Sequence, residues 1–399
     1  MNEKNFSEAQ SSVISPILET ISGEAARVFQ NEPKADKKAC VVALIGGFLG
    51  AGKSTMITAL ATEATRRNLT YGIITNDQGV GLIDTQTAEH ANQSKSVEEI
   101  TGGCFCCRLS DLEQALERLS ESERPDVIFA EPVGSCTDLM ATVILPLREK
   151  YDSEFHLSPL AILLDCKRLA KRQGGFHKEI GYIYQKQMEE AESLVLSKTD
   201  TLSPEELNTI TAELRLKHPT KTLCHASAKS GDGVSDLLDY VLTSQANPAM
   251  LMEMDYDLYG SGEARMGWYN AQLTTAHDSF WDAQKLLVTI TKLWQALISE
   301  GASIAHLKMS LADEDKGIIA VANAVCNDDT PQLSIQDSRA SGKATILINL
   351  RAEAEPETLT RIVRAVMSSL TQEFIWLHEA AFKPGQPNPT KRVEVLREQ

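Results

Sequence analysis

The sequence has no apolar run long enough to span a bilayer, which argues against a helical membrane protein. Its first forty residues contain no hydrophobic stretch behind a basic start, so they do not read as a secretory signal. Basic residues are scarce: 39 Lys and Arg face 55 Asp and Glu, for a formal charge of −16. That balance excludes a protein whose main task is to neutralise phosphates along nucleic acid; an acidic surface suits one that meets other proteins. No internal repeat or low-complexity tract is present, which excludes solenoids and arrays. There is no histidine-rich tract either. The eight histidines, at 90, 156, 177, 218, 225, 277, 306 and 378, are dispersed and read as surface or core residues. A cytoplasmic protein is expected, with neither nucleic acid nor membrane as partner.

What is present is an ordinary globular composition, 42% hydrophobic over 399 residues, with room for two domains. Of eight cysteines most lie in apolar runs, such as LAILLDC ending at Cys166, and read as buried free thiols. In a reducing compartment the one tight group, Cys104, Cys106 and Cys107, points to metal or redox chemistry rather than to a disulfide framework.

Residues 1–38 form a polar leader with a short helix predicted near 16–29. From Cys40, short β-rich runs alternate with helical patterns: CVVALI, a helix over 53–66, YGIIT, a helical stretch over 97–100, a helix over 109–119, DVIFA, LAILLD, a helix over 185–192, SLVLS, TLCHASAK and a helix over 234–242. Such alternation predicts an α/β domain over 39–248, with a mostly parallel sheet covered on both faces. The pattern changes after Pro248, where a linker leads into the strand-like GWYNAQLTT. Helices over 279–297 and 357–370 lie among several apolar runs and predict a smaller α+β lobe over 249–399.

The segment GFLGAGKS, 47–54, satisfies the phosphate-loop pattern between a strand and a helix. Backbone N–H groups of Gly47, Gly50, Ala51 and Gly52 would curl around phosphate oxygens at the positive end of the helix. Lys53 would reach the β and γ phosphates, and the Ser54 hydroxyl would ligate Mg²⁺. Asp77 and Glu131, at the ends of the next strands, are candidates for holding that ion or orienting the attacking water. The alternative for each is a cap on the helix that follows. Gly134 in EPVG would bring a backbone N–H to the γ-phosphate.

Two later segments, SKTD at 197–200 and SAK at 227–229, each follow an apolar run. The Asp200 carboxylate can accept from the N1–H and exocyclic amine of guanine, whereas adenine presents an acceptor at N1. Lys198 would lie along base and ribose; the Ala228 N–H, between Ser227 and Lys229, would donate to the guanine carbonyl. In TGGCFCCR, three soft thiolates within four residues suit Zn²⁺ or a similar ion and leave a fourth position for water, a partner or the recipient's own ligand. Asp111 and Cys136 are further residues that the fold could bring near. A redox pair or a group of small buried residues is the alternative.

Over about 40–241 these motifs resemble the CobW-type metallochaperone GTPases, relatives of the UreG and HypB maturation GTPases. GFLGAGKST, ending in Thr55, is similar to that family's phosphate loop, GGCFCC to its Cys-x-Cys-Cys metal motif, EPVG to its Glu-x-x-Gly form of the Walker B segment, and TND at 75–77 to the UreG version of the segment after the second strand. The resemblance implies a P-loop GTPase that binds GTP and Mg²⁺ and hydrolyses GTP. It implies a zinc or cobalt cargo at Cys104, Cys106 and Cys107, a client metalloprotein or cofactor enzyme, and a C-terminal lobe that engages it. GTP and Mg²⁺ would order the loops carrying Asp77, the cysteines and Glu131, and hydrolysis would release them. Ser197 stands where the family usually carries Asn, which predicts loss of a bond to guanine or to the phosphate loop. No arginine finger or glutamine base can be assigned, so a client or the second protomer of a nucleotide-dependent homodimer is expected to complete the site. Alternatives are a nucleotide-dependent regulator or zinc sensor in which hydrolysis is incidental, and a GTPase that protects or loads a corrinoid-dependent enzyme.

Overall fold

Eight segments form parallel strands: β1 (Cys40–Gly47), β2 (Tyr71–Asp77), β3 (Val97–Thr101), β4 (Val127–Glu131), β5 (Phe155–Leu157), β6 (Ala161–Asp165), β7 (Ser193–Ser197) and β8 (Thr222–Ala226). Their order is β3-β2-β4-β1-β6-β7-β8, with β5 also beside β1. The coordinates are a computed structural model that describes residues 39–77, 97–122, 124–170, 177–247, 251–275, 281–313, 315–336, 340, 343–370 and 373–396; the leader helix expected near 16–29 lies outside them. Cys40–Gln399 forms one compact unit.

Strands β1, β4, β6 and β7 are buried at every residue, as strands covered on both faces must be. One face packs on α1 (Lys53–Arg66) through Met56, Ile57 and Leu60. The other packs on α2 (Leu109–Ser122) through Leu112 and Leu116. Each such side chain contributes roughly 1.5–3 kcal/mol by leaving water. After β4 a π-helical turn, Met140–Ile144, runs into α3 (Leu145–Tyr151); α4 (Cys166–Ala170) follows β6.

Two local readings change. Residues 97–100, read as helical, are strand β3, because their backbone pairs with β2 from Ile73 to Asp77; pairing at a sheet edge overrides the helical preference of VEEI. The helix expected over 185–192 begins earlier, as α5 (Lys178–Glu190). Helix α6 (Pro204–Lys217) went unread although its start signal is present: the Ser203 side chain accepts from the Glu206 N–H and Glu206 reaches back to Ser203. That capping box contributes about 1 kcal/mol. Helix α7 (Val234–Thr243) closes this half.

The C-terminal half opens with α8 (Tyr256–Arg265), whose Tyr259 enters the core beneath the parallel sheet. Strands β9 (Gly267–Thr275), β10 (Ser303–Asp313), β11 (Gly317–Ala324), β12 (Gln332–Gln336), β13 (Ala344–Glu353) and β14 (Phe374–Phe382) pair antiparallel in the order β12-β11-β10-β13-β9-β14. Helices α9 (Ala283–Ser299) and α10 (Pro356–Ser368) bury Leu286, Ile290, Leu359 and Val363 against one face, through Leu307, Met309, Ile348 and Leu350. The opposite face carries Asn270, Lys308, Asn349 and Arg351, all buried. Beyond β14 the chain turns back to the first half, where Val393 N–H donates to the Ala141 carbonyl.

Candidate functional site

The turn between β1 and α1 is bent by left-handed glycines at Gly47, Gly50 and Gly52. Gly50, at φ +78°, must lack a side chain twice over: its backbone is strained for other residues, and a Cβ would lie 2.9 Å from Val325 of the C-terminal half. Lys53 and Ser54 begin the helix and meet one carboxylate. The Ser54 hydroxyl donates to Glu131 Oε1 at 3.0 Å, and Lys53 Nζ lies 3.8 Å from the same oxygen. Glu131 and Lys53 are both buried. The hydroxyl and carboxylate are hard oxygen donors, 3.0 Å apart at the start of the helix, and they fit a Mg²⁺ site. Gly134 follows in close contact, its would-be Cβ 2.7 Å from Leu49. A cavity of about 130 Å³ is lined by Gly50, Lys53, Ser54, Asn76, Glu131 and Gly134 together with His306, Lys308 and Arg351 of the antiparallel sheet. Asp77 ends β2 beside Thr101 of β3; its side chain lies outside the described residues.

A second cavity, about 500 Å³, joins Gly52 and Thr55 to Lys198, Asp200, Ser227, Ala228 and Lys229. Lys198 takes a left-handed conformation, φ 58°, held by Nζ donating to the Gly50 carbonyl and pairing with Asp165, both at 2.7 Å. The Ser227 hydroxyl donates to Asp200 Oδ1 at 2.6 Å and fixes that carboxylate's orientation. Ser197 does not lose the phosphate loop. Its hydroxyl lies 2.8 Å from the Ala51 carbonyl and 3.1 Å from that of Leu164, so a short side chain at the end of β7 makes the tie expected of Asn.

The cysteines converge between β3 and α2. Cys104 Sγ lies 2.7 Å from Cys106 Sγ and 3.2 Å from Cys107 Sγ, and Cys106 lies 3.8 Å from Cys107. Cys136 completes the group, 4.0 Å from Cys106. The sulfurs of Cys104, Cys106 and Cys136 all lie within 4.8 Å of one another, and all three residues are buried. Tetrahedral zinc with bonds of about 2.3 Å sets its sulfurs about 3.8 Å apart; Cys106 already stands at that spacing from Cys107 and Cys136, whereas Cys104 lies closer to its neighbours and would move outward, and the donor set suits a soft ion. Neighbouring thiols hold the Cys136 thiol down at about 6, since Cys104 and Cys106 hydrogen-bond to its thiolate. Cys104 is the first cause that pushes Cys106 and Cys107 up; hydrogen bonds with Cys107 and Cys136 add to the rise at Cys106, and burial adds to it at both. The thiols share their protons through these hydrogen bonds, and a metal would displace the protons that remain. Asp111 pairs instead with Arg108. Among the described residues no histidine joins the cluster.

Three ties around the cysteines come from the fold, the first at Cys136, which the sequence offered as a candidate. Cys136 sits two residues after Gly134, and Gln187 of α5 donates to the carbonyls of both at 3.0 and 2.9 Å. Asn76 of β2 lines the phosphate cavity while its Nδ2 donates to the carbonyls of Ile100 and Gly103 at the base of the cysteine loop, at 3.0 and 2.7 Å. The chain after β14 straps the loop: Thr390 donates through N–H to the Cys106 carbonyl and through its hydroxyl to that of Cys107, and Asn388 N–H donates to Cys107 Sγ at 3.3 Å. Arg392 anchors the strap on buried Asp138 at 2.7 Å. The TND and EPVGSC strings were visible signals for the first two; the strap left none.

Residues 41–224 match the CobW/HypB/UreG nucleotide-binding domain. The chain is 25% identical over 204 residues to the zinc-regulated GTPase metalloprotein activator 1 of Schizosaccharomyces pombe, covering 50% of this chain and 48% of that one. It is 26% identical over 197 residues to the zinc chaperone YjiA of Escherichia coli, covering 48% and 59%. It is also 26% identical over 220 residues to the zinc chaperone CobW of a Sinorhizobium species, covering 49% and 60%. The chain spans about half the length of the curated relatives it matches. Among solved structures it is similar to HypB from Helicobacter pylori in complex with nickel, at 17% identity and TM-score 0.38 over 54% of this chain and 93% of that one. No described helix is long and apolar enough to cross a membrane.

Proposed function

We propose that this chain, which carries a CobW/HypB/UreG nucleotide-binding domain over residues 41–224, is a metallochaperone that uses GTP binding and hydrolysis to govern a thiolate metal site. One observation carries the reading. Glu131 meets Ser54 and Lys53 at the phosphate loop, and five residues along the same segment Cys136 meets Cys106. A nucleotide that draws on Glu131 or Gly134 therefore pulls on a sulfur of the cluster. Asn76 supplies a second tie, since the strand end that lines the phosphate cavity also holds the base of the cysteine loop.

In this reading the phosphate-loop amides of 47–52 and Lys53 bind the β and γ phosphates. Ser54 and Glu131 would hold Mg²⁺, with Asp77 at the neighbouring strand end, and that ion would neutralise charge developing on the phosphates. Asp200 reads guanine, with its carboxylate already oriented by Ser227; Lys198 supports the base, and Ala228 N–H reaches the guanine carbonyl. Cys104, Cys106 and Cys107, joined by Cys136, take zinc as cargo, or cobalt. The zinc chaperones among the relatives support the first. The recipient is a client metalloprotein or cofactor enzyme, reached once the strap over Cys106 and Cys107 is displaced.

The test is GTP turnover with and without zinc in wild type, Lys53→Ala and Cys106→Ser. Zinc should alter wild-type turnover, Lys53→Ala should abolish it, and Cys106→Ser should hydrolyse GTP without responding to zinc. Turnover in Cys106→Ser that still responds to zinc would end the proposal.

A further inference from the structure

The antiparallel sheet buries two unlike faces. One is apolar and packs on α9 and α10. On the other, β10, β13 and β9 align His306 with Arg351 and Arg351 with Trp268 in one row; the neighbouring row aligns Lys308 with Asn349 and Asn323, and Asn349 with Asn270. Lys308 is 8% exposed and Arg351 2%. Burying a cation is costly unless something nearby repays its lost hydration. Backbone oxygens and Asn270 take one edge of Arg351, through Nη1, and its guanidinium lies 4.0 Å from the centre of the Trp268 ring. This holds the side chain rigid on the sheet.

His306, Lys308 and Arg351 line the same 130 Å³ cavity as Lys53, Ser54, Glu131 and Gly134. On the nucleotide reading of those last four residues, this is where the terminal phosphate lies, because the phosphate-loop Lys, the magnesium ligands and the glycine of EPVG all address it. Phosphoryl transfer needs cationic charge beyond the phosphate loop as the transition state forms, and a positive side chain in a water-poor cavity supplies it without reorganisation. We infer that the antiparallel sheet supplies this charge: Lys308, with Arg351 beside it, contacts the γ-phosphate of bound GTP in addition to Lys53. The cation expected from a client or second protomer then comes from the same chain. The C-terminal half would thereby distinguish GTP from GDP directly, and its own extension beyond β14 is the strap on the cysteine loop.

The inference rests on the cavity being the triphosphate site, and its test separates the two. Affinities for GDP and a non-hydrolysable GTP analogue, and single-turnover hydrolysis, are measured in wild type, Lys308→Met and Lys308→Arg, with circular dichroism to check folding. Lys308→Met should keep GDP affinity within about twofold, lose about tenfold or more in analogue affinity, and slow hydrolysis by about a hundredfold or more. Lys308→Arg should recover most of both. A folded Lys308→Met with unchanged discrimination and turnover would overturn the inference and leave the nucleotide reading intact. Equal losses for both nucleotides in both variants would also overturn it, assigning Lys308 a structural role. Failure of the wild type to bind either nucleotide would instead remove the reading on which the inference stands.

Discussion

The phosphate site and the cysteine site lie on neighbouring strand ends but are built in opposite ways. The first is a set of cavities, about 130 and 500 Å³, whose walls are preformed by backbone turns and held side chains. The second is packed: Cys104, Cys106 and Cys136 are buried, and residues 388–390 bond to the loop that carries the first two. The difference teaches that nucleotide can enter a ready site, whereas metal exchange requires something to move. The parts able to move it, the 131–136 segment, Asn76 and the strap, each touch the cysteine loop or its sulfurs.

The sharpest way to break this comparison is to open the cluster from within. Cys136→Ser should weaken zinc binding by about a hundredfold or more, since a thiolate ligand is replaced by a hydroxyl that stays protonated. The pH profile should change with it. In wild type, zinc affinity falls on acidification from pH 8, because Cys106 and Cys107, both pushed up, must give up protons. Below about pH 6 the fall steepens by about tenfold per unit, as Cys136, held at about 6, becomes protonated too. Chelator competition across pH 5–8 should show that added step in wild type and not in Cys136→Ser; an identical profile would remove Cys136 from the site. A smaller effect is expected from outside. Arg392→Ala releases the anchor on Asp138 and should speed zinc transfer to a chelator by about three- to tenfold, an effect of roughly 1 kcal/mol, with affinity little changed. An unchanged rate would mean that the strap does not close the site.

The same contrast explains what could be read from sequence. The phosphate loop, SKTD, SAK and CFCC stand out in the sequence because each puts several polar or sulfur groups within one turn of chain, and the fold brings the first three to shared cavities. The α/β alternation was legible because buried parallel strands are continuous apolar runs, as in β1 and β6. Residues 97–100 misled because their edge pairing with β2 is decided by the neighbour strand and not by VEEI itself. Cys136, Asn76 and Lys308 act through pairing and packing of distant segments. Lys308 stands in a strand of alternating apolar and polar residues, AHLKMSL, and acquires its setting only from the register that brings Asn323 and Asn349 beside it. The tie of Ser197 to Ala51 likewise depends on how closely β7 approaches the phosphate loop, a distance that no motif encodes.

The account depends on the two sites sensing each other, and a zinc titration of the full chain with saturating non-hydrolysable GTP analogue, then with GDP, tests that most directly. A ligand shifts an equilibrium only by its differential affinity, and the coupling is reciprocal. Zinc affinity should differ by about fivefold or more between the two nucleotide states, and zinc should change the affinity ratio of the two nucleotides by the same factor. Zinc affinities that coincide in the two states would contradict the account.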